Sequence, residues 1–319
     1  MKGVQMHVFG VDIGGTTVKI GRFTEDGNIK NKWEIPTRKE NDGELILQDI
    51  ADSIHREMGI NDIGASEVIG IGIGVPGPVL ENGVVNGCVN LGWKQKDVTT
   101  EMQELMHGIP AYVGNDANVA ALGEYWKGGG KGFNNVIMVT LGTGVGAGII
   151  LQGKILAGTN GAGGEIGHFH VNDEETELCG CGKAGCLEQY ASATGVVRMA
   201  NKVLNTTDKS VLKDLSNLSC KDVFDAAKEG DPAAASVVEQ LGKTLGTALA
   251  HVSATVDPEV FVIGGGVSKA GQIVIDVVQK YYKKYAFHAT ENAEFKLAVL
   301  SNDAGMYGAV KMAIDGIAE

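Results

Sequence analysis

Three of the five cysteines lie within one short segment whose spacing is typical of a metal site. Cys179, Cys181 and Cys186 alternate with glycines, and His168 and His170 lie a short loop upstream. Thiolate sulfur and imidazole nitrogen are ligands that Zn²⁺ prefers, and three cysteines with one histidine complete a tetrahedral site. Because no coordination position is left for a catalytic water, the sequence predicts a structural zinc. The alternatives are buried free thiols, or disulfides in an oxidising compartment.

The same segment carries polar side chains that can hold a small molecule rich in hydroxyl groups. Glu165 and His168 precede the cysteines, and Glu188 follows Cys186 by two residues. Carboxylates accept hydrogen bonds from hydroxyls at neutral pH, and a neutral imidazole can accept one through a ring nitrogen. A metal in this loop would hold these groups in fixed positions. The predicted zinc would therefore act on ligand binding indirectly, by stiffening the loop.

Two glycine-rich turns are typical of phosphate-binding sites. They consist of Gly14, Gly15, Thr16 and Thr17 in the first case and of Gly142, Thr143 and Gly144 in the second. Successive backbone N–H groups in such turns form a concave nest for phosphate oxygens, and glycine allows a nucleotide to approach closely. Asp12, just before the first turn, is suited to bind Mg²⁺ directly or through water. The glycines could also serve only to permit tight hairpins.

Asp116 is the candidate for proton transfer. It lies in the segment Asn-Asp-Ala-Asn-Val-Ala-Ala, residues 115–121, which follows a predicted strand and begins a predicted helix. Open α/β proteins place functional groups at the carboxyl ends of their strands, and a carboxylate there can accept the proton of an alcohol that attacks phosphorus. Asn115 or Asp116 could instead serve only as the N-cap of the helix.

The order of elements predicts an α/β fold with an internal duplication. Strands over 7–12 and 18–23 flank the first glycine turn, and strands over 135–141 and 147–151 flank the second. A Walker loop or a Rossmann turn leads into a helix, so both are disfavoured here. Repetition of the hairpin indicates duplication. The other predicted elements are strands 28–35, 68–75, 111–114 and 260–263 and helices 44–58, 99–107, 232–256, one that begins near 268, and 305–317.

Composition limits the classes of function that the chain can have. Of 319 residues, 44% are hydrophobic and 21% are charged, which is enough for a large core. The formal net charge of -12 repels phosphodiester backbones, so we expect no nucleic-acid partner. The apolar runs are of strand length and are broken by glycines, and no segment resembles a signal peptide. We therefore expect a cytoplasmic protein with no membrane partner.

Six motifs resemble those of the ROK family of sugar kinases and sugar-responsive repressors, in particular its bacterial glucokinases. They are Asp-Ile-Gly-Gly-Thr (12–16), Gly-Val-Pro-Gly-Pro (74–78), Asn-Asp-Ala-Asn-Val-Ala-Ala (115–121), Leu-Gly-Thr-Gly-Val-Gly (141–146), Gly-Glu-Ile-Gly-His (164–168) and Cys-x-Cys-Gly-x-x-Gly-Cys-Leu-Glu (179–188). The set, in this order over nearly the whole chain, is far more specific than any one motif. The resemblance implies a two-lobed actin/hexokinase-like (ribonuclease H-like) fold with ATP between the lobes.

The resemblance also implies lobe boundaries and residue roles. The smaller lobe would cover 1–115 and be completed by a helix over 305–319, and the larger lobe would cover 116–304. Asp116 would be the general base for phosphorylation of a hexose at its 6-hydroxyl. Sugar hydroxyls would be bound by Asn90, Asn115, Glu165, His168 and Glu188, and the adenosine would lie near Gly264, Gly265 and Gly266. His168 would also be the zinc histidine, with its two ring nitrogens facing metal and sugar.

Two departures from the family pattern bear on the site. Many members have Lys at the position of Thr17, so a charged phosphate contact is expected to be missing, with backbone groups and hydroxyls in its place. The loop between His168 and Cys179 is one residue longer than in several members. His170 therefore remains an alternative zinc ligand.

The sequence thus predicts an ATP-dependent glucose kinase that uses Mg²⁺ and a structural Zn²⁺, and by resemblance a homodimer. A kinase for N-acetylmannosamine or another hexose, and polyphosphate or ADP as donor, are the alternatives. The rival from another class is a sugar-sensing transcriptional regulator. It is disfavoured because we expect no helix-turn-helix in the six residues before the first strand, and because the chain is acidic. A zinc hydrolase would need an open coordination position.

Overall fold

The structure, a computed structural model, describes residues 5–207 and 209–318. The outer ends of the predicted lobes, 1–4 and 319, lie outside these residues. The strands are β1 (His7–Ile13), β2 (Thr17–Thr24), β3 (Ile29–Pro36), β4 (Val68–Val75), β5 (Val84–Val85), β6 (Lys96–Asp97), β7 (Ala111–Asn115), β8 (Val136–Leu141), β9 (Val145–Leu151), β10 (Lys154–Ile155), β11 (Val260–Gly264) and β12 (Glu294–Leu297). The helices are α1 (Glu40–Gly43), α2 (Ile46–Ile60), α3 (Val98–Leu105), α4 (Asp116–Lys127), α5 (Glu188–Ala191), α6 (Ala193–Leu204), α7 (Cys220–Lys228), α8 (Pro232–Val256), α9 (Gln272–Tyr285) and α10 (Ala304–Ala318).

Two five-stranded sheets share one topology, which confirms the predicted α/β class and the duplication. The first sheet has the order β3-β2-β1-β4-β7 and the second has the order β10-β9-β8-β11-β12. In the first sheet, β1 pairs antiparallel with β2, which follows the glycine turn, and parallel with β4. In the second sheet, β8 pairs in the same way with β9 and with β11. Both glycine turns therefore join two strands, as the sequence predicts.

Each sheet has its own hydrophobic core. Helices α2 and α3 cover the first sheet, and α2 buries Ile46, Ile50 and Ile54 at helical spacing against it. The second sheet packs against α6, α7, α8 and α9. Helix α8 begins as predicted, because the Asp231 side chain accepts a hydrogen bond from the Ala234 N–H and Pro232 occupies the first helical turn.

Two helix starts differ from the prediction. The helix expected from residue 44 begins at Ile46, because the preceding turn contains Asn41 and Asp42 with positive φ. The helix expected near 268 is a 3-10 turn over Val267–Ala270, and α9 begins only after Gly271, whose φ of 83° is left-handed. Periodicity along the chain did not reveal α6 and α7, which pack on α8.

Helix α10 returns to the first half of the chain, as predicted, and packs against β1, β4 and α4. Glycines allow this close approach: a Cβ at Gly72 would overlap the carbonyl oxygen of Ala309, and one at Gly308 would overlap that of Val119. The division into lobes at residues 115 and 116 stays a prediction. Within 5–207 and 209–318, no helix is both long and apolar enough to cross a bilayer.

The crossing of α4 and α10 generates a stability prediction. Gly308→Ala should lower the free energy of unfolding by about 1–3 kcal/mol or more, because the added methyl group forces the two backbones apart. Gly59→Ala is the matched control in α2, where a Cβ meets nothing within 4 Å. That change should stabilise the protein by roughly 0.5–1 kcal/mol. Urea unfolding of both variants measures the difference, and equal midpoints would contradict the tight crossing.

Candidate active site

A cavity of about 740 Å³ lies where the two sheets face each other. Its walls lie at the carboxyl ends of parallel strands of both sheets. From the first sheet, Asp12 lies in β1, Gly77 follows β4, and Asp116 follows β7. From the second sheet, Gly142 follows β8 and Gly265 follows β11. The carboxyl ends of strands in open α/β sheets are where ligands bind, and the volume suits a small molecule together with a nucleotide.

Half of the predicted site residues line this cavity. Those that do are Asp12, Asn90, Asn115, Asp116, Gly142, Gly144, Glu165, Glu188, Gly265 and Gly266. Those outside its lining are Gly14, Gly15, Thr16, Thr17, Thr143, His168, Cys179, Cys181, Cys186 and Gly264. Thr143 instead lines a smaller adjoining pocket, which Glu188 also borders. The structure therefore brings together residues from all six motifs, and it leaves residues 14–17 of the first turn outside the lining.

Asn115 caps α4 and orients Asp116. The Asn115 side-chain oxygen accepts hydrogen bonds from the N–H groups of Ala117 and Asn118 at 3.0 and 3.2 Å. Its side-chain nitrogen donates to the Gly77 carbonyl at 3.0 Å and to Oδ1 of Asp116 at 3.1 Å. Because Asn115 performs the capping, Asp116 is free for another role. Among the described residues, no hydrogen-bond donor reaches Oδ2 of Asp116.

The environment of Asp116 makes it a base that titrates near neutral pH. Burial raises the pKa of the Asp116 carboxyl to about 6, and the negative charges of Asp12 and Glu165 add to the rise. The hydrogen bond from the Ala117 N–H opposes it. A carboxylate of this pKa is mostly ionised at pH 7 and still basic enough to accept a proton in a transition state.

Glu188 and Glu165 lie on the opposite wall from the first sheet. Glu188 begins α5, and a Cβ at Gly144 would lie 2.6 Å from its Oε2, so the glycine makes room for this carboxylate. Glu165 is exposed at the cavity mouth and precedes a 3-10 turn over Ile166–His168. Asn90, also exposed, reaches the cavity from the turn Val89–Leu91. These groups can accept or donate several hydrogen bonds to one polyhydroxyl ligand.

The glycine turns are held by backbone and hydroxyl hydrogen bonds. The Gly14 N–H donates to the Thr17 carbonyl at 3.0 Å, and the Thr37 hydroxyl donates to the Gly14 carbonyl at 2.7 Å. The Gly142 N–H donates to the Gly144 carbonyl at 3.0 Å. Gly265 has a φ of 84°, and a Cβ there would lie 2.5 Å from the Leu141 carbonyl oxygen, so the close approach of these turns requires glycine.

His168, Cys179, Cys181 and Cys186 form a cluster whose ligand atoms all lie within 4.8 Å of one another. The Sγ atoms of Cys181 and Cys186 are 3.6 Å apart, and Sγ of Cys179 is 3.7 Å from Nδ1 of His168. A tetrahedral zinc with Zn–S bonds of about 2.3 Å separates its ligands by close to these distances. The residues therefore fit a structural zinc. The other ring nitrogen of His168, Nε2, faces the Glu165 carboxylate at 3.9 Å.

His170 lies outside this cluster. Its Nδ1 is 3.0 Å from the Ala184 carbonyl oxygen, and its Nε2 is 2.8 Å from Oδ1 of Asp173. The hydrogen bond to Asp173 raises the pKa of His170. Both ring nitrogens are thus engaged by oxygen atoms, so the structure selects His168 over the alternative that the sequence left open.

A buried ion pair supports the loop that carries the cluster. Arg198 donates to Oε2 of Glu175 at 2.7 Å, and the Tyr190 hydroxyl donates to the same oxygen at 2.8 Å. Burial would raise the pKa of Glu175, but these hydrogen bonds outweigh it and lower the pKa to about 2. Arg198 also donates to the Gln189 carbonyl at 2.9 Å, next to Glu188. The loop is therefore tied to α6 independently of any metal.

Sequence reasoning missed several residues of the cavity. Lys19 and Lys269 line it from opposite halves of the chain, and Asn302 lies at its edge. The alternation of side chains along a strand could have identified Lys19, because it lies two residues after Thr17 and therefore on the same face of β2. Outside the cavity lining, the sequence also gave no sign of the structural role of Glu124, whose buried carboxylate accepts hydrogen bonds from the N–H groups of Gly129 and Leu300, both at 2.7 Å.

Comparison with known sequences finds matches over nearly the whole chain. The sequence profile of the ROK family matches residues 8–316. A glucokinase of Halalkalibacterium halodurans is 44% identical over 305 residues, which cover 94% of this chain and 92% of that protein.

Two solved structures show the same fold. A ROK family glucokinase from Streptomyces griseus, in complex with glucose and AMPPNP, superposes with a TM-score of 0.75 at 35% identity. The match covers 97% of this chain and 100% of that one. A ROK family transcriptional regulator, a homologue of the E. coli MLC protein, superposes with a TM-score of 0.86 at 26% identity, over 99% of this chain and 81% of that one. Both likenesses support the actin/hexokinase-like fold that the sequence predicts.

The cysteine cluster generates a metal prediction. Cys181→Ser should lower the zinc content of the purified protein, because the serine hydroxyl is a much weaker zinc ligand than a thiolate. Sugar affinity should fall with it, since Glu165 and Glu188 lie on the same loop, whereas nucleotide affinity should be kept. Elemental analysis and binding titrations measure the three quantities.

Cys220→Ser is the matched control, because Cys220 begins α7 and lies outside the cluster. It should leave zinc content and sugar affinity unchanged. A wild-type protein that binds sugar without any zinc would contradict the metal assignment.

Proposed function

The chain belongs to the ROK family, and on this basis we propose that it is an ATP-dependent glucokinase, which transfers the γ-phosphoryl group of ATP to the 6-hydroxyl of glucose. One observation carries the proposal. A base whose pKa is about 6, Asp116, lies in the same cavity as Glu165 and Glu188 and the glycines Gly142, Gly144, Gly265 and Gly266. The identity of 44% to a glucokinase supports the choice of reaction and of sugar.

Asp116 accepts the proton of the attacking hydroxyl. Its Oδ1 accepts hydrogen bonds from Asn115 and from the Ala117 N–H, and Asp116 lines the cavity, so Oδ2 is the oxygen that would accept the proton. Phosphoryl transfer proceeds through a loose transition state, in which positioning and charge stabilisation contribute more than covalent chemistry. The protein therefore needs Asp116 chiefly to orient the hydroxyl and to remove its proton as the bond to phosphorus forms.

The sugar is held by groups on three elements. Glu188 and Glu165 accept hydrogen bonds from its hydroxyls, and Asn90 and Asn115 add an amide each. Nε2 of His168 faces Glu165 and so lies on the sugar side of that ring. Because the carboxylates are acceptors only, each fixes the direction of the hydroxyl that it binds.

The nucleotide binds along the glycine segments. The turn at 142–144, whose glycines line the cavity, and the turn at 14–17, which lies outside its lining, would offer backbone N–H groups to the phosphates, and Gly264, Gly265 and Gly266 would lie near the adenosine. Asp12 is suited to bind a magnesium ion, because it is a carboxylate in the cavity wall. Burial raises the pKa of Asp12, and a bound cation would lower it again. When bound, Mg²⁺ supplies charge neutralisation to the phosphates.

Zinc fits the cluster of His168 and the three cysteines, where it would cross-link the sugar-binding loop.

On the resemblance to the family we also propose a homodimer, a cytoplasmic location and the two lobes with a boundary at 115 and 116. Analytical ultracentrifugation measures the first of these.

One assay separates the candidate functions. ADP release is measured with each common hexose, with and without Mg²⁺. A glucokinase shows turnover with glucose that requires the metal, a sugar-sensing regulator binds sugar without turnover, and another hexose kinase prefers a different sugar. Replacing ATP by polyphosphate or ADP, with formation of glucose 6-phosphate as the readout, tests the donor.

The first prediction concerns the base. The value of kcat/KM for glucose should fall about tenfold per pH unit below roughly pH 6, because Asp116 with its raised pKa becomes protonated there. Asp116→Asn should lower kcat by roughly 10²–10⁴ while sugar binding persists, since the amide cannot accept the proton. Steady-state kinetics across pH and a glucose-binding titration provide the measurements. Near-normal turnover of the variant would show that Asp116 only begins α4.

The second prediction concerns the choice of sugar. Paired carboxylates grip adjacent equatorial hydroxyls, and an epimer leaves one of them without a partner at a cost of about 1–3 kcal/mol. Glucose should therefore be strongly preferred over galactose and N-acetylmannosamine, with mannose the best secondary substrate. Asn90 and Gly77 line the cavity and decide whether a 2-acetamido group fits. A higher kcat/KM for N-acetylmannosamine than for glucose would reject the glucokinase assignment.

A further inference from the structure

Glu188 reaches the cavity from a segment with little regular structure. It begins the four-residue helix α5, and it borders both the main cavity and the smaller adjoining pocket, which has a volume of about 350 Å³. A carboxylate that binds one particular hydroxyl must be held accurately, because hydrogen bonds weaken steeply when their geometry is distorted. The main chain at residues 188 and 189 therefore needs support from outside the loop.

Arg198 provides such support from helix α6. One guanidinium nitrogen, Nη2, donates to the carbonyl oxygen of Gln189 at 2.9 Å. The other, Nη1, donates to Oε2 of Glu175 at 2.7 Å and to Oε2 of Glu177 at 3.2 Å. Arg198 borders the smaller pocket and is absent from the lining of the main cavity. It therefore supports the chain next to Glu188 without lining the space that a ligand would fill.

The guanidinium group is itself held in one position. The Glu175 side chain is only 5% exposed, and that of Arg198 is 20% exposed. The Tyr190 hydroxyl donates to the same Glu175 oxygen at 2.8 Å, and the Tyr190 ring centre lies 5.2 Å from Cζ of Arg198. A planar guanidinium between a buried carboxylate and an aromatic ring has little freedom to move. Its hydrogen bond therefore fixes the position of the Gln189 carbonyl.

Lys202, one turn further along α6, provides a natural comparison. Its Nζ lies 3.5 Å from Oε1 of Glu175 and 2.9 Å from Oε1 of Glu177. In the described part of the chain, no hydrogen bond joins Lys202 to Gln189. The two cations of α6 thus share their acidic partners, and they differ in the contact with the chain beside Glu188.

We propose that Arg198 is a positioning residue for sugar binding, which sets the place of the Glu188 carboxylate through the Gln189 carbonyl. The inference rests on the proposed function for the identity of the sugar. Arg198 acts on the sugar only through Glu188 and has no role toward the nucleotide. The ion pair with Glu175 holds the guanidinium group, so the two contacts of Arg198 have separable effects, one on stability and one on sugar affinity.

Two variants separate these effects. Arg198→Met keeps an unbranched side chain but removes both contacts, and it leaves the Glu175 carboxylate buried without its cation. Adding Glu175→Gln in a double variant removes that unpaired charge and does not restore the bond to Gln189. The Tm should therefore fall in Arg198→Met and recover in the double variant. The double variant also keeps the test possible where the single variant folds poorly.

Sugar affinity should behave differently from Tm. In both variants the Kd for glucose, measured by isothermal titration calorimetry, should rise roughly tenfold, because a hydrogen bond from a charged group is lost. The KM for glucose should rise with it, while kcat changes by less than about threefold, since the lost contact serves ground and transition states alike. The Kd for AMPPNP should stay within about twofold of wild type, and the zinc content should not change.

Lys202→Met is the matched control, because it removes a positive charge from the same two carboxylates. It should bind glucose as the wild type does. Unchanged glucose affinity in the double variant would overturn the proposal, because Arg198 would then act only by neutralising Glu175. Equal losses of glucose affinity in Lys202→Met and Arg198→Met would also overturn it, since the contact with Gln189 would then be irrelevant.

These results can be distinguished from a failure of the proposed function. A wild-type protein that binds glucose but does not phosphorylate it would reject the glucokinase assignment, and the comparison of glucose affinities would still decide the role of Arg198. Phosphorylation of glucose with a normal KM by the double variant would reject only that role. A wild-type protein that binds no glucose would overturn both.

Discussion

The crossing of α10 with α4 and with the first sheet is the contact on which the rest of the structure depends. Backbone meets backbone there because the positions at the crossing are Gly10, Gly72, Gly123 and Gly308. At such short separation neither helix can shift without losing dispersion contacts. Helix α4 begins with Asp116, and a Cβ at Gly305 near the start of α10 would lie 2.6 Å from Cγ of Asp12. The crossing therefore sets where the two carboxylates stand relative to each other.

This arrangement brings opposite electrostatic requirements into one cavity. The carboxylates of Glu165 and Glu188 suit a neutral ligand with many hydroxyls, and burial, together with the charges of Asp12 and Glu165, raises the pKa of Asp116 to about 6. Phosphate groups require the reverse, which is N–H donors and positive charge. Groups of these two kinds on different walls would let both ligands bind within reach of one base.

The loop that carries Glu165 and Glu188 has little regular structure of its own. Between β10 and α5 it contains one short 3-10 turn and isolated bridges, such as that between His170 and Cys186. A loop with little regular structure becomes more rigid when side chains cross-link it. Here the ion pair of Arg198 with Glu175 does so, and the side chains of His168 and the three cysteines lie within 4.8 Å of one another.

Local sequence was sufficient to predict both glycine hairpins, an N-cap at Asn115 or Asp116, the start of α8 and the types of side chain in the cysteine cluster. Strand alternation, capping and chelate spacing all act within a few residues along the chain. Packing between distant segments settled what spacing could not. It placed His168 and excluded His170 from the cluster, turned Lys19 into the cavity opposite Asp12, and left Gly14 to Thr17 outside the lining. It also raised the pKa of Asp116, because burial and the approach of Asp12 and Glu165 arise only when segments far apart in sequence meet in space.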